Sequence, residues 1–532
     1  MSSILRSTIF IAIFTILTKI LGLAKFIVLS NRFGAGRETD IFFAAFRVPD
    51  FIFNLLIAGT LSVAFIPVFV SYLGRDRRQA FVLASTVFNL TLLVMSSFAL
   101  LGFVFAPVLV GLIAPGFDAD ARAETITITR ILMLSPLIFS LSSILTSILH
   151  SFKRFYIAAV SPIFYNLAII LGIIYLYPRH GFIGVVWGVI AGAMLHFLIQ
   201  LPASIRLGLV PLRHLDLGHA GVKKIGKLFL PRILGIDLGQ ISLLVASIIG
   251  STMAVGSIAQ FTYAYDLETL PLGVFAIAFA VTAFPVLSEY ASKNDISGFR
   301  TFLSKTMVQL LFLIIPLSVS MLILRAQIVR LIFGALQGTK FTFEDTRITA
   351  YTLGFFAISL FAQALIPLLA RSFYALQNTI IPVAAGALAA VFNIILAFIF
   401  TRRFGVPSMA LAFSIAAILD MIVLFLILRR RLGNDLNDDF LFLRVLKICI
   451  ASVVMGTISY GALYAIAPLV NMQTYLGILL QAAGSLLLGG VAYLFAGLVI
   501  RLPEAGEFVG VLKTWFAKFS KPVVSAVENL FQ

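Results

Sequence analysis

Charge and cysteine are what this sequence has least of. Only 11% of its 532 residues are charged, and Cys449 is the single cysteine. One cysteine excludes an internal disulfide and a cysteine-based zinc site. The five histidines are scattered, so they predict no metal site built from paired histidines. Because a soluble domain carries about 25% charged residues, this composition also excludes an ordinary soluble domain.

Hydrophobic residues fill the chain instead, at 61% of the total, and the mean hydropathy is +1.08. Roughly 20 apolar residues span a bilayer as a helix. Cutting the sequence at polar, proline and glycine positions predicts an all-α integral membrane protein with fourteen transmembrane helices. These are expected at approximately 5–30, 40–72, 79–106, 121–151, 157–177, 182–208, 225–251, 258–291, 299–326, 345–375, 380–401, 407–431, 442–468 and 475–500.

The net charge of +17 belongs to the loops rather than to a nucleic-acid surface. Lysine and arginine collect in alternate short loops, as the positive-inside rule requires of cytoplasmic loops, with Arg402 and Arg403 as the exception. This pattern predicts that both termini are cytoplasmic and that no nucleic acid is bound. The basic clusters lie at 75–78, 153–154, 223–227, 293–300, 429–431 and 513–521.

The chain also repeats itself. "FIPVFVSY" (65–72) resembles "FPVLSEY" (284–290), "LHSFKRFYIAA" (149–159) resembles "FYALQNTIIPV" (373–383), and Gly181 and Gly405 follow in the same order. Ordered matches at nearly constant spacing predict two six-helix lobes in the same orientation, an architecture of transporters.

The repeat sets the expected domain boundaries. An N-terminal lobe (1–208, helices 1–6) and a C-terminal lobe (233–431, helices 7–12) are joined by a basic cytoplasmic linker (209–232). Two extra helices follow at 432–501. The tail (502–532) has apolar residues at helical spacing among lysines, which predicts an amphipathic helix on the cytoplasmic membrane surface.

A charged stripe runs along predicted helix 2, and helix 1 adds two lysines about 120° apart on its surface. Charge inside a membrane span faces a protein interior or a water-filled path. One reading is a substrate path. The other is structural, with Arg47 paired to Asp40 or Asp50 to lock helices 1 and 2. The residues of this stripe are Asp40, Arg47, Asp50 and Asn54, and the lysines that helix 1 adds are Lys19 and Lys25.

The stripe lies within "KILGLAKFIVLSNRFGAGRETDIFFAAFRVPDFIFNLLIAGTLSVAFIPVFVSY", which resembles the MurJ (MviN) family of bacterial lipid II flippases. That family belongs to the multidrug/oligosaccharidyl-lipid/polysaccharide exporter superfamily. The pattern G-A-G-x-x-T-D-x-F-x-x-A-F-x-x-P is long and specific, and "LGQISLLVAS" and "RSFYALQNTIIPV" match further on. The resemblance covers the whole chain and is strongest before residue 170.

The resemblance implies two lobes in a V around a central cavity. It implies a monomeric protein of the bacterial inner membrane that moves the undecaprenyl-diphosphate-linked peptidoglycan precursor, lipid II, to the outer leaflet by alternating access. Such a protein is not an enzyme and carries no cofactor. Sodium or the membrane potential would supply energy, the peptidoglycan synthesis machinery is the expected partner, and helices 13 and 14 would form a groove for the lipid tail.

Residue by residue, Lys19 and Lys25 resemble the family's helix 1 arginines, Arg47 a basic position of helix 2, and Asp40 the motif aspartate. The sequence departs from the family pattern in helix 8, where an arginine is replaced by acid at or next to Asp266. Asp266 and Glu268 are expected either to pair with Lys19, Lys25 or Arg47 in one state, or to be interfacial charges near a loop. Other departures are Phe26, Phe53 and Ala58.

A coupling cation has four candidate ligands: Asp237, Gln240, Asn378 and Asn393. Oxygen ligands suit sodium, which some relatives bind in the corresponding lobe. The structural alternative is a set of isolated hydrogen bonds between helices.

Four other functions remain open. Asp118 and Asp120 in an external loop are an acidic pair that a metal-dependent glycosyltransferase would use. A flippase for another polyprenyl-diphosphate-linked glycan would use the same lysines and arginine. A drug/cation antiporter would use Asp266 and Glu268. A non-transporting envelope scaffold would need none of these charges.

Overall fold

The structure, a computed structural model, describes residues 3–56, 61–233, 238–334, 338–511 and 513–514, and its regular elements there are all helical. The helices are α1 (Ser3–Phe33), α2 (Arg37–Leu56), α3 (Leu61–Leu73), α4 (Arg77–Ile113), α5 (Ala119–Leu132), α6 (Leu134–Ser151), α7 (Phe155–Leu171), α8 (Tyr177–His180), α9 (Phe182–Leu207), α10 (Ala220–Ile233), α11 (Leu238–Ser251), α12 (Ser257–Pro271), α13 (Ile277–Ser292), α14 (Ile296–Ile323), α15 (Arg325–Val329), α16 (Phe343–Ala375), α17 (Ile380–Phe404), α18 (Pro407–Arg431), α19 (Asp438–Ile466) and α20 (Tyr475–Val499).

Eleven helices within the described residues are long and apolar enough to cross a membrane. Ala64–Leu73 and Gly239–Ser251 are shorter apolar helices. The prediction of an all-α, multi-pass membrane protein is therefore confirmed, whereas the count of fourteen spans and the arrangement of the lobes stay predictions. The single helices expected at 40–72 and 225–251 each contain a stretch, 57–60 and 234–237, outside the described residues.

Two of the long spans contain a π-helical turn. Gly172–Leu176 continues α7, and Leu272–Ala276 connects α12 to α13 directly after Pro271. Proline has no N–H to donate to the helix ladder, so a wider turn next to it is a common adjustment. Each π turn shifts the face that the following residues present relative to a continuous α-helix.

The described residues form two compact units. The first comprises those within Met1–Tyr263, Leu336–Thr346 and Thr401–Val406. The second comprises those within Ala264–Ala335, Arg347–Phe400 and Pro407–Gln532. The boundary at Tyr263 falls inside α12. The predicted lobe boundaries stay a prediction.

Phenylalanine rings fill the core of the first unit where α3, α4 and α6 meet. Phe65 and Phe69 are fully buried and stacked, with ring centroids 5.1 Å apart, and Phe81 meets Phe69 edge-on at 5.7 Å. Stacked and edge-on rings are the favourable aromatic geometries. This packing fixes the helices that neighbour α2.

Small residues bring α19 and α20 together in the second unit. A side chain at Gly489 would clash with the Ser459 hydroxyl of the facing helix, so glycine permits the close approach. Small residues at helix contacts are typical of membrane proteins. Tyr493 on α20 then donates to the Phe312 carbonyl oxygen at 2.8 Å, which attaches α20 to α14.

The repeated segments share the geometry of their turns. Lys153 and Gln377 both have a left-handed backbone, with φ of 58° and 56°, although neither is glycine. The residue after each donates its N–H to a carbonyl five positions back, at 2.8 and 2.9 Å. Gly181 and Gly405 follow at the same spacing, with φ of 62° and 71°. The predicted sequence repeat therefore corresponds to a repeated local structure.

The predicted linker is attached to α4 through one amide side chain. Asn89 Nδ2 donates to the His214 carbonyl oxygen at 2.7 Å, and the Leu212 N–H donates to Asn89 Oδ1 at 3.0 Å. The predicted tail is helical over 503–511, and Phe508 packs against Phe312. Of its other apolar positions, Val511 is exposed, and Trp515 and Phe519 lie outside the described residues.

Candidate functional site

Asp40, in the first turn of α2, binds the main chain at the start of α12. Its Oδ2 accepts a hydrogen bond from the Gly256 N–H at 2.6 Å, and its Oδ1 accepts one from the Ala259 N–H at 2.8 Å. The side chain is 4% exposed. The first N–H groups of a helix lack partners within that helix and carry partial positive charge. Asp40 therefore caps α12 from a different helix.

Arg47 lies two turns further along the same face of α2. Its Nε donates to Ser247 Oγ on α11 at 2.9 Å, and its Nη2 donates to Thr262 Oγ1 on α12 at 2.7 Å. The side chain is 6% exposed. The predicted shared face of Asp40 and Arg47 is thus observed, because both contact α12. Their hydrogen bonds differ from the predicted Arg47–Asp40 pair, since both Asp40 oxygens accept from main-chain N–H groups.

Two glycines allow main chains to meet beside Asp40. Gly256 has φ of +96°, and a side chain there would clash with the Ala35 carbonyl oxygen. Gly34 has φ of +64°, and its Cβ would lie 2.5 Å from the Lys340 carbonyl oxygen. The Lys340 N–H also donates to the Asn31 carbonyl oxygen at 2.9 Å. We call this the glycine contact; it requires residues without Cβ at both positions.

A second carboxylate extends the network. Gln260 Nε2 donates to Asp345 Oδ1 at 3.0 Å, and both side chains are buried. Asp345 Oδ2 accepts from the Thr342 N–H at 2.9 Å and from its hydroxyl at 2.8 Å, next to the start of α16. Within the first unit, α12 is therefore connected both to α2 and to the start of α16.

Lys25 and Asp50 lie near Arg47. Asp50 is within electrostatic range of both Arg47 and Lys25. The Lys25 ammonium lies 4.4 Å from the centre of the Phe26 ring, a cation–π distance. Asn54 turns back on its own helix and donates to the Asp50 carbonyl oxygen at 2.9 Å. The structure therefore brings Lys25, Arg47 and Asp50 together, whereas Lys19 is exposed on α1.

Asp266 and Glu268 belong to the second unit. Asp266 is half-buried and Glu268 is fully buried. Their pairing with Lys19, Lys25 or Arg47 stays a prediction.

Two of the four coupling-ion candidates, Asn378 and Asn393, lie apart on the same stretch of chain. Asp237 lies outside the described residues, and Gln240 is half-buried on α11. Asn378 caps α17, its Oδ1 accepting from the Ile381 N–H at 3.1 Å, and Asn393 is buried near the middle of that helix. Fifteen residues of helix rise about 22 Å, so Asn378 and Asn393 cannot ligate one ion together. A sodium site at any one of them stays a prediction.

The partners of Asp40 and Arg47 have no recognisable pattern in the sequence. Ser247 and Thr262 are single hydroxyl residues in apolar helices, and such residues are common. Gly256 is different, because a glycine in a short loop often indicates an unusual backbone conformation, and this could be predicted from the sequence. Its contact with Ala35 depends on the tertiary fold.

Long apolar helices with buried, hydrogen-bonded charges define the class as a polytopic membrane transporter. A family model described as "Lipid II flippase MurJ" matches residues 29–484. The chain therefore belongs to the MurJ lipid II flippase family.

Curated relatives agree with this placement. The probable lipid II flippase MurJ of Vibrio cholerae is 30% identical over 435 residues, which cover 79% of this chain and 82% of the relative. The lipid II flippase MurJ of Burkholderia cenocepacia is 28% identical, covering 81% and 84% of the two chains. A probable lipid II flippase MurJ from Buchnera aphidicola (Schizaphis graminum) is 27% identical, covering 93% and 96%.

Solved structures show the same fold. A lipid II flippase MurJ in an inward closed conformation superposes with a TM-score of 0.76 at 25% identity, covering 93% of this chain and 99% of the other. An inward-facing multidrug resistance MATE family transporter superposes with a TM-score of 0.65 at 18% identity, covering 79% and 96%. The second similarity shows the fold alone.

Proposed function

We infer that this chain flips lipid II, the undecaprenyl-diphosphate-linked peptidoglycan precursor, from the inner to the outer leaflet of the bacterial cytoplasmic membrane. The observation that carries this inference is the family match over residues 29–484. It is supported by the similarity to a lipid II flippase structure over 93% of the chain. Flipping moves a molecule without making or breaking covalent bonds, so we propose that the protein is not an enzyme.

Lys25 and Arg47 are the residues we assign to the diphosphate. A diphosphate entering a membrane protein must exchange its water and counterions for protein cations and donors. Arg47 already donates to two neutral hydroxyls, Ser247 and Thr262, and phosphate oxygens can replace these acceptors. Asp50 nearby limits the excess positive charge when no substrate is bound. Lys19, exposed on α1, would meet the substrate outside this cluster.

Alternating access requires contacts that form in one state and break in another. The Asp40 cap, the Arg47 hydrogen bonds and the glycine contact all hold α2 or its preceding turn to other segments of the first unit. Each hydrogen bond contributes about 0.5–1.5 kcal/mol net, or up to about 3 kcal/mol where a charge takes part. Together, these contacts can hold one face of the protein closed. Their total free energy is small enough for substrate or ion binding to break them.

The remaining assignments follow the same proposal. We place both termini in the cytoplasm and the glycine contact at the outer face. The protein acts as a monomer, with α19 and α20 beside the polyprenyl tail and the peptidoglycan synthesis machinery as partner. Sodium or the membrane potential is the energy source that the family resemblance implies.

The test is rescue of cells depleted of their own lipid II flippase, with outward-exposed lipid II measured directly. Wild type, Lys19→Ala and Arg47→Ala are compared at equal membrane expression. Arg37→Ala serves as the matched control, because Arg37 pairs with Glu124 on the surface at 2.8 Å. Rescue by wild type and Arg37→Ala, with loss in Arg47→Ala, supports the proposal. Failure of well-expressed wild type to rescue would contradict it and direct attention to another polyprenyl-diphosphate-linked glycan.

A further inference from the structure

Glu268 is a buried acid that lies beside the Gln363 amide, and neither of its carboxylate oxygens makes a hydrogen bond of good geometry among the described residues. It lies on α12 within the apolar span Ser257–Ser292 and is fully buried. Burial of an ionised carboxylate without a partner costs several kcal/mol or more, so such a group takes up a proton or binds a cation. An ionisable residue inside a membrane protein is by default a candidate for function.

A row of neutral polar side chains leads away from Glu268. Its polar neighbour is Gln363 on α16. Gln363 Nε2 donates to Ser359 Oγ at 2.9 Å, and Ser359 Oγ donates to Ser414 Oγ on α18 at 2.8 Å. Both serines are fully buried. The row therefore supplies dipoles and no charge.

Titratable groups on the same helices do not neutralise Glu268. The charged side chains of these helices are Asp266 on α12, Glu344, Asp345, Arg347 and Arg371 on α16, and Asp420, Arg429, Arg430 and Arg431 on α18. Within the described residues no charged group acts on the Glu268 carboxyl. Without a nearby cation, the neutral acid is the form that this environment accommodates.

The ligands favour a proton over a metal cation. The Gln363 amide can accept a hydrogen bond from a protonated Glu268 through Oε1, or donate to an ionised Glu268 through Nε2. A metal cation needs several oxygen ligands at once, whereas the two serine hydroxyls are already hydrogen-bonded to each other or to main chain. The π turn Leu272–Ala276 begins four residues after Glu268, and π turns occur frequently at functional sites.

We propose that Glu268 is a proton-binding site that couples a proton gradient to transport. The acid binds a proton while it is buried, and releases that proton to water when a change of state hydrates the carboxyl. This proposal rests on the proposed function only for the transported substrate. Proton binding by Glu268 does not depend on which lipid is flipped.

The experiment uses the full chain in proteoliposomes, with two measurements. Infrared spectroscopy records the carbonyl stretch of protonated carboxylic acids, and lipid II translocation is followed with and without an imposed pH gradient. Glu268→Gln has the shape of the protonated acid and cannot release a proton. Glu289→Gln is the matched control, because Glu289 is an exposed carboxylate of the same span, paired with Lys293 at 2.6 Å.

We expect Glu268→Gln to lose one carboxylic-acid band and all acceleration by the pH gradient, while Glu289→Gln keeps both. Gln363→Leu keeps the acid but removes its neighbour, so its band should shift rather than vanish. This second variant also serves if Glu268→Gln does not fold.

An unchanged band in Glu268→Gln would overturn proton binding at this residue. A lost band with unchanged gradient dependence would overturn the coupling and leave a structural acid. Acceleration by a sodium gradient that Glu268→Gln abolishes would replace the proton by sodium. If wild type translocates no lipid II, the proposed function fails, and the infrared band still decides whether Glu268 binds a proton.

Discussion

Asp40 on α2 caps a different helix, α12. Its Oδ1 accepts a hydrogen bond from the Ala259 N–H at 2.8 Å, although the two residues are 219 positions apart in the chain. This cap can break while both helices stay intact, so it can form and break reversibly. We call it the joint between α2 and α12. This joint and the charge cluster of Lys25, Arg47 and Asp50 can be tested separately.

Asp40→Asn should loosen the joint. Asparagine keeps the size but offers one oxygen instead of two, so we expect a loss of about 1–2 kcal/mol, or roughly 5–30-fold in the open population. The measurement is labelling of Ala35→Cys by a membrane-impermeant maleimide, in a Cys449→Ser background. Ala35 is buried, so wild type should label slowly. Asp118→Asn, at the exposed cap of α5, is the control and should not change the rate. Equal labelling of the two variants would contradict the joint.

Gly256→Ala should disrupt the glycine contact. The matched control is Gly338→Ala, because Gly338 also has positive φ (+76°) but its added Cβ would meet nothing within 4 Å. Both variants bear the left-handed backbone cost of roughly 1–2 kcal/mol, and Gly256→Ala adds a clash. Thermal unfolding of the detergent-purified protein should therefore show a lower midpoint for Gly256→Ala. Equal unfolding midpoints for Gly256→Ala and Gly338→Ala would show that disrupting the glycine contact does not lower stability.

Removing the acceptors of Arg47 should destabilise the protein. Ser247→Ala or Thr262→Val removes one acceptor of the buried Arg47 guanidinium, at about 1–3 kcal/mol each. Thr252→Val is the control, because exposed Thr252, directly after α11, donates to the Ile249 carbonyl oxygen at 2.7 Å. In an Arg47→Met background the Thr262→Val penalty should nearly disappear. If the Thr262→Val penalty persists in the Arg47→Met background, it arises within α12 rather than from the lost contact with Arg47.

Lys25 and Lys19 should differ in importance for transport. Lys25 lies within electrostatic range of Asp50, whereas Lys19 is exposed. We expect Lys25→Gln to reduce outward exposure of lipid II more than Lys19→Gln, measured in flippase-depleted cells at matched expression. An equal or greater effect of Lys19→Gln would show that the substrate path is wider than the cluster around Arg47.

The face of α2 could be predicted because helical periodicity is a local property. Seven-residue spacing places Asp40 and Arg47 together whatever surrounds them. Their partners could not be predicted, since Ser247 and Thr262 lie 200 and 215 positions away and a single hydroxyl has no pattern. Pairing Arg47 with the nearest acids was reasonable on charge alone. In the structure the Asp40 oxygens accept from main-chain N–H groups, whereas Asp50 lies within electrostatic range of Arg47.

Asn378 has a local structural role whether or not it also binds an ion, which stays a prediction. It follows the left-handed Gln377 and caps α17. Asparagine is favoured at helix starts, so the repeated turn at 373–383 could have indicated this role. The π turns were beyond prediction, because one extra residue in a helix leaves no compositional trace.

The glycine contact has a consequence for how freely this region can vary. Its touching atoms are main-chain carbonyls and α-carbons, which every amino acid shares. Neighbouring side chains can therefore be exchanged during evolution without altering the fit, provided that Gly34 and Gly256 stay bare. Selection would therefore act on this contact mainly at two positions, Gly34 and Gly256, where a side chain of any size would prevent the main chains from meeting.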